Sequence, residues 1–461
     1  MHNPKLCGKN IIQAPSLYSE IRNNDVMATK ASLVLKNVTL PEGRIADISL
    51  SRGVVSHSGA GQPSDDAIDC SGYLVLPAAT DMHVHMRGGV QSFKEDWISG
   101  SRSALAGGVT LVLDQPNTIP PITTPELLIG RVQEAQMHSA CHFAINSGVN
   151  AGIDFNKMWH SGAIAFGETF FSPSSFGEAI GEAPLEQALT RIKMLDALAT
   201  IHAEEIAPVP DLDLRSHDQA RSIQGEEQAV LTVNRCNRSG CRVHFCHLSS
   251  AASLDAASGS VEVTPHHLFL SLESFEVSSA FGKVNPPLRS EKARKNLWER
   301  WDHINVIASD HAPHTIEDKQ NNFPDAPAGI PGVETMMPLL VGQILEKRIS
   351  VVSVIEKTSV NPATLLGIKK SGFDVGDRAD FALYPKIPKP IHADTLHSKC
   401  GWTPYENHVA AFPRLVIMGG TIVYRDGEFF AGLPEWFPGR GYHKKSFGKR
   451  KEGSDPQTLN I

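Results

Sequence analysis

The sequence predicts an α/β protein: a (β/α)8 TIM barrel with a small β-sandwich domain built from its N- and C-terminal segments. Three observations carry this expectation. Eight short apolar runs alternate with helical patterns between about residues 74 and 310. Polar, metal-competent side chains recur at the C-terminal ends of those runs, where a barrel of this kind keeps its chemistry. Glycine-punctuated β-texture flanks the alternating region on both sides.

In chain order, residues 1–27 read as a flexible extension and 28–73 as the first part of the β-satellite. Residues 74–370 read as the barrel, 371–435 as the second part of the satellite and 436–461 as a basic tail. The expected barrel strands begin with Tyr73–Pro77, the apolar run leading into Asp81-Met-His-Val-His-Met-Arg87. They continue with 109–114, 141–146, 162–166, 199–203, 242–247, 261–265 and 305–310. Helical patterns cover 94–105, 125–138, 184–198, 216–238 and 290–301, with a short uncertain one at 154–160. Asp426-Gly427 and Gly419-Gly420 mark turns in the second satellite segment.

Composition narrows the function. The formal net charge is −7, and basic blocks are confined to the last twenty or so residues, which argues against nucleic acid as a partner. With no uninterrupted apolar stretch of about 18 residues, nothing is expected to span a membrane. The first 25 residues lack an apolar signal core, so the chain is expected in the cytoplasm. Seven cysteines without a C-x-x-C spacing read as reduced, mostly buried thiols.

His83 and His85 lie one residue apart at a strand end and so share a face. Two imidazoles on one face can grip one cation, and neutral imidazole suits zinc. Among 20 histidines such a pair arises readily by chance. The company it keeps is more specific. His202 and His247 close the fifth and sixth strands and Asp310 the eighth. Together these five could surround one or two divalent metals.

This order of ligands resembles the amidohydrolase superfamily, and more closely dihydroorotase of the long-chain type, over roughly residues 31–429. The supporting motifs include Asp114-Gln-Pro-Asn-Thr118, Asn285-Pro-Pro-Leu-Arg289, Ser309-Asp-His-Ala-Pro-His314 and Gly329-Ile-Pro-Gly-Val-Glu-Thr335. The resemblance implies reversible cyclisation of N-carbamoyl-L-aspartate to L-dihydroorotate and water, in de novo pyrimidine (UMP) biosynthesis. It implies one or two Zn2+ per chain, a metal-bound hydroxide as nucleophile and Asp310 as general acid/base. Arg87, Asn117 and His314 would bind the substrate carboxylate, with Asn285 near the ring; an arginine gives a bidentate, charge-assisted grip on a planar carboxylate. The partner is a small molecule. A homodimer and an association with aspartate transcarbamoylase are further partners that the resemblance admits.

Two departures leave alternatives open. Many relatives bridge two metals with a carboxylated lysine on the fourth strand, and the corresponding position here is about Ala163. Glu168 lies close by: either it bridges with its own carboxylate, or it points away and leaves a single tight metal or a weakly filled second site. Gly88-Gly89 stands where many relatives have Glu-Pro-Gly. The competing functions are another cyclic amidohydrolase, allantoinase or dihydropyrimidinase, and an inactive scaffold barrel. Four further expectations concern the surroundings. His266 and His267 support the site, His244 packs away from it, Lys283 is ordinary surface, and 315–331 is a mobile loop over the site.

Overall fold

Strands covered on both faces need near-continuous apolar sequence, and Val109–Asp114 is buried at every position. The computed structural model describes residues 33–442 except 62, 63, 65 and 172–178. The expected extension, 1–27, and the basic tail beyond 442 lie outside the described residues. Two runs of parallel strands form. One comprises Ala79–Val84, Val109–Asp114 and His142–Ile145. The other comprises Phe166–Phe170, Leu198–His202, Arg242–Phe245, Ser260–Val263 and Val306–Ile307. Parallel bridges tie the runs together at both ends, Val84 to His311 and Ser147 to Phe166.

Helices connect these strands where the local signals ask for them. Pro125–His138 starts with Thr124 accepting from the Leu127 N–H and with proline in its first turn. Trp97–Gly107 is capped by Asp96, whose carboxylate accepts from the Ser99 N–H. The helix left uncertain in sequence forms as Phe155–Ser161, capped by Asp154. The pattern over 216–238 divides into Leu214–Ala220 and Ile223–Cys236, because the Ser222 side chain takes the Gly225 N–H and starts a new helix.

Two strand expectations are corrected. Tyr73–Pro77 does not lead the parallel run; it pairs antiparallel with Phe381–Pro385, Leu76 opposite Ala382. Pro77 has no N–H to extend a ladder. The Ala78 N–H then reaches the Asp380 carbonyl at 2.9 Å, and the Ala79 N–H the Gly108 carbonyl at 3.0 Å, which hands the chain from one sheet to the other. The fourth parallel strand starts at Phe166 rather than Gly162, because Gly162, at φ 106°, still closes the preceding helix. Glu168 therefore sits inside that strand.

The remaining sheets join the two ends of the chain. Leu33–Thr39, Ile45–Ser51, Val54–Gly59 and Asp66–Asp69 make one sheet. Tyr73–Pro77, Phe381–Pro385, Leu415–Met418, Thr421–Arg425 and Glu428–Phe429 make another. Leu35, Ile48 and Leu50 share one core with Phe381, Leu383 and Ile417, so neither segment buries its apolar face without the other. Six cysteines among the described residues are free and buried. Among the described residues no helix is long and apolar enough to cross a membrane.

Candidate active site

His83 and His85 turn to the same side, toward Asp310, as period-two alternation requires, with ring centroids 5.4 Å apart. The Nδ1 of His83 lies 3.1 Å from Glu262 Oε1. Its Nε2, buried and without a hydrogen-bond partner among the described residues, is 3.6 Å from Glu168 Oε2 and 3.6 Å from Asp310 Oδ1. The Nδ1–H of His85 points to Asn117 Oδ1 at 2.7 Å, which leaves Nε2 3.0 Å from Asp310 Oδ1. The His247 Nε2 is 2.8 Å from Glu168 Oε1. His83, His85 and Asp310 form one group whose ligand atoms lie within 4.8 Å of one another, and His83, Glu168 and His247 form a second. Two ligands on one tetrahedral metal with bonds of about 2.0–2.1 Å stand roughly 3.3 Å apart. The separations of 2.8–3.6 Å fall on both sides of that figure. Mixed imidazole and carboxylate donors, with a carboxylate behind His83, are what a zinc-type ion takes.

His202 reaches the cluster differently. Its Nδ1 is 2.8 Å from Glu168 Oε1 and its Nε2 2.5 Å from Glu204 Oε2, and it belongs to neither group. Glu204 is in turn bound by Arg221 at 2.6 Å. Burial raises the Glu204 carboxyl, but Arg221 and His202 outweigh it and bring it down to about 2. Glu168 and Asp310 follow the same logic. Burial works against their charge, yet His83 and the neighbouring imidazoles hold both well below the usual carboxylate range. The side chain of Glu168 points into the cluster, while Ala163 is buried before the strand and offers no ligand.

The other end of the cavity, whose volume is about 620 Å3, is cationic. Arg87 is nearly buried, and burial pushes its guanidinium down to about 10 against the opposing pull of Asp310 and Asp114, so it stays charged at neutral pH. Its Nε donates to the Pro313 carbonyl at 3.4 Å, and one terminal nitrogen lies 3.3 Å from His314 Nε2. Asn117, Asn285 and His314 line the same space. Asn285 Oδ1 is buried without a partner among the described residues. Arg87, His247 and Asp310 all adopt left-handed backbone, with φ of 47°, 36° and 45°, a strained conformation that clusters at functional sites. Gly88, at φ 81°, fits the turn after Arg87 because a Cβ there would meet Glu134 and Arg131 at 2.5 and 2.8 Å.

The surroundings hold both agreement and correction. His244 bonds Ser260 and Glu262 rather than the cavity. His267 is fixed by Thr264 and by the Pro286 carbonyl, so it positions the Asn285 segment. Lys283 is not surface: it is nearly buried, and its Nζ donates to the Phe323 carbonyl at 2.7 Å. Segment 315–331 is anchored. Ile316–Gln320 is helical, and the buried Lys319 donates to the carbonyls of Lys283, Pro327 and Gly329. Sequence reasoning missed Glu262, Glu204 and Lys94. Glu204 stands two residues after His202, on the same face, and Glu262 is a lone acid in an apolar strand; both were visible as period-two signals.

Parallel strands with imidazoles and carboxylates gathered within and just past their C-terminal ends, in groups able to hold a metal ion, fit a hydrolase of the amidohydrolase superfamily. Solved structures of similar fold include the L-hydantoinase (dihydropyrimidinase) of Arthrobacter aurescens, with TM-score 0.82 and 24% identity over 88% of this chain and 99% of that one. The dihydropyrimidinase of Brevibacillus agri matches with TM-score 0.80 and 22% identity over 90% of this chain and 100% of that one. At such identities the likeness is one of fold. No family model matches the sequence. Relatives named dihydroorotase are closer in sequence. That of Methanosarcina acetivorans is 37% identical over 448 residues, 90% of this chain and 95% of the relative. That of Halobacterium salinarum is 38% identical over 410 residues, 86% and 97% of the two chains. The chain belongs to the dihydroorotase family.

Proposed function

We propose that this chain is a zinc-dependent dihydroorotase that interconverts N-carbamoyl-L-aspartate and L-dihydroorotate in pyrimidine synthesis. The observation that carries the reading is the pairing, in one cavity, of the His83–His85–Asp310 group with a buried, charged Arg87. A substrate needs both a scissile amide and a separate carboxylate to use the two ends at once. His83, His85, Glu168, His247 and Asp310 would hold the metal, and His202 would join by exchanging its contact with Glu168. Bound there, a divalent metal supplies Lewis acidity and makes hydroxide available near neutral pH. Asp310, kept ionised by the facing imidazoles, accepts the proton of the attacking water and delivers it to the ring nitrogen as the amide C–N bond breaks. In the other direction the same carboxylate takes the proton from the ureido nitrogen as that bond forms. Arg87 grips the exocyclic carboxylate, with Asn117, Asn285 and His314 around it.

We infer too that the eight parallel strands close as a (β/α)8 barrel over about 74–370, with 28–73 and 371–435 forming the β-sandwich satellite. The bridges at both seams and the shared core support this. Turnover of dihydroorotate and carbamoyl-aspartate, measured with metal content on one preparation, tests the function. Activity with about two zincs per chain supports Glu168 as a bridge, and about one restricts it to a single site. Metal with hydrolysis of hydantoin or allantoin instead would overturn the substrate.

A further inference from the structure

Lys94 has no part in the roles above, yet it lines the cavity. Its ammonium lies 3.0 Å from His314 Nδ1 and 3.0 Å from Asp318 Oδ2. An ammonium has only protons to give, so the ring nitrogen facing it must present a lone pair. The opposite tautomer would need Nδ1–H to donate to Asp318, and those atoms are 3.7 Å apart, beyond hydrogen-bond reach. The proton of His314 then sits on Nε2, where the Ala328 carbonyl at 3.1 Å accepts it, while the donor-only Arg87 guanidinium at the longer 3.3 Å finds no lone pair there. Burial and the cations Arg87, Lys94 and Lys319 keep the ring neutral, well below its ordinary pKa.

We propose that Lys94 is a positioning residue for substrate recognition: by occupying the Nδ1 lone pair it fixes His314 as the Nε2–H tautomer, so that His314 donates beside Arg87. This rests on the dihydroorotase reading, in which a carboxylate sits at that end. Without Lys94 nothing occupies the Nδ1 lone pair, and Nδ1 is free to carry the proton. The Nε2 lone pair then faces the Arg87 guanidinium and competes with the substrate carboxylate for its N–H groups. With Lys94, His314 gives its Nε2–H to the Ala328 carbonyl and offers Arg87 no lone pair, so the terminal N–H groups of the guanidinium are left for an anionic acceptor in the cavity.

The experiment is nitrogen NMR on 15N-histidine-labelled, metal-loaded protein, with the His314 signals assigned by their loss in His314→Asn, alongside kinetics of Lys94→Met, Lys94→Arg and Asp318→Asn. The wild type should show Nε2 protonated. Lys94→Met should move the proton toward Nδ1 and raise KM for dihydroorotate and for carbamoyl-aspartate about tenfold, with kcat within about threefold and metal content unchanged. Lys94→Arg should restore both the tautomer and KM, and Asp318→Asn should leave the tautomer as it is. If Lys94→Met folds poorly, Lys94→Ala gives the same readout. An unchanged His314 tautomer in these variants overturns the inference, whether KM moves or not. A wild type that turns over neither compound defeats the dihydroorotase reading instead, and the nitrogen spectra still decide the tautomer.

Discussion

At one end of the cavity the reactive groups stand on strands: His83, Glu168 and His202 lie within them, and His85 and His247 follow by one and two residues. At the other end Lys94, His314, Asn285 and Ala328 stand on connecting segments, held by bonds from one segment to the next. A metal tolerates errors of a few tenths of an ångström in its ligands, and strands in a parallel sheet supply that rigidity. A carboxylate grip needs charge and direction, which loops supply once they are tied down. Lys319, bound to three carbonyls, is one such tie. On the reading proposed above, the metal-facing groups rest mainly on the sheet and the carboxylate-facing groups on the loops.

That division can be broken from either side. Removing metal with a chelator should abolish turnover at the strand end and zinc should restore it; activity that survives full metal removal would sink the metal reading. Asp310→Asn should lower kcat by at least about 1,000-fold, because both the proton carrier and a ligand are lost, as steady-state kinetics would show. Arg87→Met should act mainly on KM, raising it about 100-fold for dihydroorotate, and a larger effect on kcat than on KM would blur the division. Glu262→Gln changes a residue outside the two ligand groups described above that holds His83 Nδ1, so zinc affinity should fall about 10- to 100-fold by competition with a chelator while KM at saturating zinc holds. Smallest for catalysis, Phe381→Ala in the shared satellite core should cost about 3–5 kcal/mol in denaturant unfolding with kcat/KM per folded molecule unchanged.

Much of this was legible in the residues. His83 and His85 announce their shared face through period two alone, and Val109–Asp114 and Pro125–His138 carry local signals strong enough to place both elements at their observed bounds. Tyr73–Pro77 was misread because an apolar run is equally at home in either sheet; pairing with Phe381–Pro385, about 300 residues away, decided the matter. Lys283 and Lys319 were unreadable for a related reason. A lysine is buried only where carbonyls from other segments converge on its ammonium, and no local pattern encodes that convergence.

The sequence by itself determined which residue types could do the chemistry, their order along the chain and the alternation of strand and helix that brings strand ends to one side. These follow from local periodicity and from the identity of the donor atoms. Only the tertiary structure decided that Glu168 faces the imidazoles, that His202 is shared between Glu168 and Glu204, and that Lys94 meets His314. Each of those contacts joins segments brought together by packing, and a carboxylate or ammonium takes its partner, its charge state and its use from whatever packing sets within about 3 Å of it.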